Sequence, residues 1–230
     1  MIESPSPTDR NEQRLADLEL FIRGVVHDLN NALNVMKTTL YLLRQRLPED
    51  EVKISRPLLR INDQVDAIRT LLEGHQALYH ASQPVRQRVD LRRLVEQVLQ
   101  EGHVPEGYRV EVRAEEDLPP AEVDPRLVAA ALRALLRNSV RAMSGSGEIQ
   151  VRLARADGGV ELAVADSGPG IPPEILDQAF EPFVSTWPDH AGLGLALVQR
   201  VARAHGGRAT LYSSPEEGTR VSLFFPQHAE

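Results

Sequence analysis

The amino-acid sequence predicts an α+β protein in two parts. An N-terminal antiparallel helical hairpin is followed by an α/β sandwich, with helices on one face of a mixed sheet. Two observations carry this. Apolar residues recur at steps of three, four and seven from Leu15 to Leu47 and again from Leu58 to Leu78. Beyond Ala81-Ser82-Gln83-Pro84 the pattern changes to short alternating segments separated by single helical stretches.

The first stripe runs Leu15, Leu18, Ile22, Val25, Leu29, Ala32, Met36, Leu43, Leu47, and Pro48-Glu49-Asp50-Glu51 breaks it. The second runs Leu58, Ile61, Val65, Ile68, Leu72, Leu78. Pro57 suits the first turn of that helix, where a missing N–H costs nothing. Two amphipathic helices cannot bury both seams by themselves. The expected solution is a homodimer whose two hairpins form a four-helix bundle. The domain reading is therefore a short polar segment over 1–14, a hairpin over 15–82 and a second domain over 83–230.

In that second domain, period-two alternation predicts strands at 108–112, 149–153, 160–164 and 219–224. Helical stretches are expected at 91–101, 125–143 and 193–205. The order is not strictly β-α-β, which favours the sandwich over a doubly wound sheet.

Composition narrows the function. The 230 residues are 42% hydrophobic and 26% charged, a globular balance. A net charge of −7 argues against a general nucleic-acid binder. With no cysteine, neither a disulfide framework nor a thiolate metal site is possible. No apolar run approaches the roughly 20 residues of a membrane span, and the N-terminus lacks a signal-peptide core. The expectation is a cytoplasmic protein. About 14 polar residues precede the first stripe, too few for a further domain of ordinary size.

Chemistry-bearing residues fall in a fixed order. His27 opens His27-Asp28-Leu29-Asn30-Asn31 between the stripe positions Val25 and Leu29, so it belongs at the edge of the bundle. A histidine nucleophile needs one neutral ring nitrogen to attack, with the other held as N–H by an acceptor. Asp28 is the candidate acceptor, and Asn31 lies one turn on, at i+4. Further along come Asn138 and Arg141 on one helix, Asp166-Ser167-Gly168-Pro169-Gly170 after a strand, Phe180-Glu181-Pro182-Phe183, and Gly192-Leu193-Gly194-Leu195 opening another helix. Glycines let a backbone pass close to a bound base. The N–H groups at a helix start suit phosphate oxygens. Neither a P-loop nor a His-Arg-Asp kinase loop is present.

In this order the motifs resemble the catalytic core of a two-component sensor histidine kinase over residues 15–226. That core is a dimerisation and histidine-phosphotransfer hairpin followed by a Bergerat-type ATP-binding domain. The resemblance implies ATP and Mg²⁺ as cofactors and His27 as the phosphorylated residue, with Asp28 its acidic neighbour. Asn31 would orient water for removing phosphate from a partner. Asn138 would hold Mg²⁺ through its amide oxygen, a hard ligand suited to that ion, and Arg141 would meet a phosphate. Asp166 would accept the exocyclic N–H of adenine between Gly168 and Gly170. Gly192, Gly194 and Leu195 would form the phosphate-side turn, and Thr219 a base-side contact. Many relatives carry an asparagine four residues before Asn138, where this chain has Ala134. Residues 184–191 would be a mobile lid, in which Trp187 and His190 have no assigned role.

The implied reaction is autophosphorylation of His27, then transfer to an aspartate of a response-regulator receiver domain on a separate chain. The hinge for the required domain swing is expected near Pro84. The signal is expected to arrive through a partner, a separate sensor or signalling protein, or through the short N-terminal segment. Two other readings stay open: a histidine phosphotransferase with a degenerate nucleotide domain that relays phosphate between receivers, or an ATP-binding regulatory dimer without autokinase activity. An anti-sigma serine kinase would share the ATP fold but gives no reason for the hairpin.

Overall fold

A computed structural model describes residues 84–102, 104–187 and 192–227, together with Leu33, Val35, Met36, Thr38, Thr39 and Leu42. The chain divides into two units, Met1–Leu72 and Glu73–Glu230. In the first unit the six described residues are all α-helical, and Thr39 Oγ1 donates to the Val35 carbonyl at 2.8 Å. The expected hairpin, its turn at Pro48 and the four-helix bundle otherwise lie outside the described residues.

The second unit is built from β1 (Gln87–Val89), α1 (Leu91–Gln100), β2 (Tyr108–Ala114), β3 (Ala121–Val123), α2 (Pro125–Met143), β4 (Gly147–Ala156), β5 (Gly159–Asp166), α3 (Pro173–Leu176), α4 (Gly194–Ala204), β6 (Arg208–Ser214) and β7 (Gly218–Pro226). Five strands form a mixed sheet in the order β2-β4-β5-β7-β6. Only β2 and β4 run parallel; the other neighbours are antiparallel. A parallel pair needs a long crossover, and residues 115–146, which include α2, provide it. β1 and β3 make a separate two-stranded ribbon.

Register explains the core. Val112, Val151, Val164, Val221 and Leu211 form one cross-strand row. Ala114, Leu153, Leu162, Leu223 and Ala209 form the next. Most of these are buried, in one cluster with Leu91, Val95 and Val98 of α1, Leu132, Leu135 and Leu136 of α2, and Val198 and Val201 of α4. The alternate positions, such as Arg109, Arg113, Arg152 and Arg220, face solvent. Burying each Leu or Val side chain is worth about 1.5–3 kcal/mol, so the single helix-covered face supplies most of the drive to fold. This is the helices-on-one-face sandwich that the alternation predicts.

Local chemistry sets the limits of α2. Asp124 is extended (φ −81°, ψ 110°), its side chain accepts from the Arg126 amide, and Pro125 occupies the first turn. Such a cap is worth about 1 kcal/mol. At the other end Ser144 is left-handed (φ 50°, ψ 50°) and closes the helix. Tyr108 OH donates to the Val140 carbonyl (2.9 Å) and accepts from the Gly145 amide (2.7 Å). These bonds satisfy groups that a helix end leaves unpaired. Among the described residues no helix is long and apolar enough to cross a membrane.

Candidate nucleotide site

The next cross-strand row changes character. Val110 and Ile149 continue the apolar pattern, but the row then reads Asp166, Thr219, Ser213. A carboxylate and two hydroxyls thus stand on the core face of the sheet. Asp166 is the last residue of β5 and is 8% exposed. Its Oδ2 accepts from Ser139 Oγ at 2.9 Å, and its Oδ1 from the Gly168 amide at 3.0 Å. Burial pushes its pKa above the usual carboxylate value, against the hydrogen bonds from Ser139, Gly168 and the Thr219 backbone. Thr219 Oγ1 in turn lies 2.9 Å from Ser213 Oγ. The site therefore holds a desolvated acceptor whose carboxylate is oriented from three sides, suited to reading an N–H of a flat apolar ligand.

The loop after β5 wraps this acceptor closely. Gly170 has φ 77°, and a Cβ there would stand 2.6 Å from the Ser214 carbonyl oxygen. Only glycine fits that approach. Across from the loop, α2 brings Asn138 and Arg141, both half-buried. Asn138 faces the start of α4: a Cβ on Gly194 would lie 3.3 Å from Asn138 Nδ2. Gly192, just before, is left-handed (φ 63°) and packs on the Val184 carbonyl. Leu195 is half-buried against the core, so what it can offer a ligand is backbone at the helix start. The first amides of α4 and the Asn138 amide group thus border one space.

A divalent cation fits this donor set in one respect. Asn138 offers a single neutral hard oxygen, and Mg²⁺ keeps most of its shell as water and phosphate oxygens. Among the described residues no cluster of three or more His, Asp or Glu could hold a metal unaided. The protein share would rest on Asn138.

The structure brings Asp166, Gly168 and Thr219 together at one end of the sheet and Asn138 and Gly194 together at the meeting of α2 and α4. Arg141 carries its guanidinium 5.8 Å from the Trp187 ring centroid, which gives the unassigned tryptophan a neighbour in the site. Ala134 is in the core, 2% exposed, so a polar group in its place would be buried. His27, Asp28 and Asn31, with residues 188–191 of the expected lid, His190 among them, lie outside the described residues.

Sequence reasoning missed Ser139. Its signal was a polar residue in phase with the core positions Leu132, Leu135 and Leu136 of α2. It also missed Asp124 and His205, each 1% exposed and hydrogen-bonded to one another.

Comparison with known proteins agrees with this geometry. Residues 123–229 match the family of histidine kinase-, DNA gyrase B- and HSP90-like ATPases. The chain is 26% identical over 220 residues to the sensor histidine kinase ZraS of Escherichia coli strain K12, covering 94% of this chain and 47% of ZraS. It is 32% identical over 224 residues to the alginate biosynthesis sensor protein KinB of Pseudomonas aeruginosa, covering 90% of this chain and 36% of KinB. It thus spans half or less of these relatives' lengths. Among solved structures, full-length ShkA in complex with AMPPNP superposes with a TM-score of 0.63 at 25% identity, over 90% of this chain and 46% of ShkA.

Proposed function

We propose, from the premise that residues 123–229 are a histidine kinase-, DNA gyrase B- and HSP90-like ATPase domain, that this chain is an ATP-dependent protein-histidine kinase phosphorylated on His27. The single observation that carries the reading is the Asp166 carboxylate. It is buried, oriented by Ser139 and Gly168, and set apart from a second polar centre at Asn138 and Gly194. Such a pair of centres suits a nucleotide, with its base at Asp166 and its phosphates toward Asn138.

In this mechanism Asp166 accepts the adenine amino N–H, and the glycine loop lets backbone lie along the base. The start of α4 donates amide N–H groups to phosphate oxygens, and Arg141 offsets their charge. Mg²⁺, when bound, would neutralise charge on the phosphates, and Asn138 is the residue that would hold it. A neutral ring nitrogen of His27 attacks the γ-phosphorus in line. The N–P bond forms as the bridging P–O bond breaks, and that electron pair leaves on ADP. Asp28 holds the remaining ring N–H. Positioning and charge neutralisation carry most of the catalysis. The phosphoryl group then passes to an aspartate of a response-regulator receiver on another chain. Asn31 would serve the reverse duty, orienting water to clear that aspartyl phosphate. The kinase acts in the cytoplasm as a homodimer through the hairpin seams.

Mass-spectrometric mapping at neutral pH after incubation with MgATP tests this. The expected result is one phosphoryl group on His27. A chain that binds MgATP without phosphorylation would instead be the regulatory dimer, and one that binds none but takes phosphate from a receiver the phosphotransferase.

A further inference from the structure

Away from the nucleotide space, one buried polar cluster joins three elements. Asp124 caps α2, and its backbone amide donates to His205 Nε2 at 2.8 Å. His205 Nδ1 lies 2.7 Å from the Val201 carbonyl. Because Nε2 accepts, Nδ1 must carry the proton, so the tautomer is fixed by the two bonds. The ring is also packed edge-on against Phe225 at 5.6 Å. The Asp124 carboxylate accepts from the Val85 amide at 3.0 Å and is paired with Arg126. Arg86 donates to the Ala204 carbonyl at the end of α4 at 2.8 Å. The segment entering the domain is thus tied to the first turn of α2 through Val85 and to the last turn of α4 through Arg86.

The same two helices meet again at their other ends, where Asn138 faces Gly194. α2 and α4 are thus joined at one pair of ends by the Asp124–His205 hydrogen bond, and at the other pair Asn138 stands close against the glycine turn. Three long helices pack on one sheet face, and the Asp124–His205 hydrogen bond adds a directional restraint on how α4 sits along α2 to that packing.

We propose that Asp124 and His205 are positioning residues for the nucleotide's phosphate side. They set the register of α2 against α4, and Val85 ties the entering segment to that register. A displacement upstream of Val85 then moves Asn138 relative to Gly194. The adenine side is not under this control, because the Ser139–Asp166 bond holds α2 to β5 while the β5–β7 pairing and Gly168 hold Asp166 in the sheet, so the shift is taken by α4. This inference rests on the nucleotide reading proposed above.

The test measures MgATP and adenosine affinity in the full chain, for the intact protein, His205→Phe and Val85→Pro. Phenylalanine keeps the ring packing and removes both bonds; proline removes only the amide that meets Asp124. His205→Phe is expected to weaken MgATP about tenfold, the scale of lost buried hydrogen bonds, with adenosine within about twofold. Val85→Pro should weaken MgATP about threefold, again sparing adenosine. It lies outside both helices and carries the test alone if His205→Phe fails to fold. Equal losses for both ligands, or none, would overturn the proposal. An intact chain that binds neither ligand would instead overturn the nucleotide reading itself.

Discussion

Ser139 Oγ donates to Asp166 Oδ2 at 2.9 Å, joining helix α2 to the end of strand β5 inside the protein. The serine stands next to Asn138 in sequence, so one helix serves both ends of the proposed nucleotide. In the proposed mode its outer face would present Asn138 and Arg141 to the phosphates, while its inner face orients the Asp166 carboxylate.

Ser139→Ala removes a buried donor and leaves one carboxylate oxygen short of a partner. The expected cost is about 1–3 kcal/mol. For a chain of this length each kcal/mol lowers the melting temperature by about 2–4 °C. Adenosine affinity should fall with it. Thermal unfolding and adenosine titration check both; unchanged adenosine affinity would separate Ser139 from base recognition.

Asp166→Asn replaces the base acceptor with a group of the same shape. ATP affinity should fall at least about tenfold, since the lost bond has a charged acceptor. Stability moves the other way. Burial raises the folded pKa of Asp166 above its unfolded value. The native state therefore binds more protons between the two, and stability is fully present below the unfolded pKa and lost as pH rises through the folded one. The Asn variant escapes that loss. It should melt higher than the intact chain at neutral pH, with the gap closing as the pH is lowered.

Asp124 shows the opposite sign. Burial acts to raise its pKa, but the Arg126 hydrogen bond, the Val85 and Arg126 amides and the Arg126 charge outweigh it and hold the carboxyl below its ordinary value. Its contribution is present above the unfolded pKa and lost as pH falls through the folded one. Asp124→Ala should cost about 1–2 kcal/mol at neutral pH through the lost cap, and less in acid. Unfolding curves across the acid range test this.

Gly192→Ala places a Cβ at a left-handed position (φ 63°) packed on the Val184 carbonyl. The strain is about 1–2 kcal/mol. MgATP affinity should fall while adenosine affinity holds, because the proposed mode puts Gly192 on the phosphate side. Calorimetry with both ligands distinguishes this from general destabilisation.

How far these features were legible in the sequence follows from the range of the forces that set them. The limits of α2 were legible at both ends, Pro125 and Met143, because Asp124, Pro125 and the left-handed Ser144 are local signals. The strand at 160–164 extends to Gly159–Asp166, which puts Asp166 on a strand end and not in a loop. β6 went unpredicted because Arg208–Ser214 is an edge strand whose inward residues are only half-buried. β1 and β3, three residues each, exist through pairing with each other. In the site, glycine motifs were readable because close backbone approach demands them. Ser139 was not, because its partner lies 27 residues away. The Asp124–His205 bond spans 81 residues, and nothing local to either residue announces it.

The most direct test of the central claim is phosphate incorporation from γ-labelled ATP with Mg²⁺, run side by side on the intact chain, His27→Gln and Asn138→Ala. Acid-labile, alkali-stable label on the intact chain that is lost in both variants is the predicted result. Label that persists in His27→Gln, or a folded intact chain that binds ATP and takes up none, would contradict a histidine kinase acting through His27.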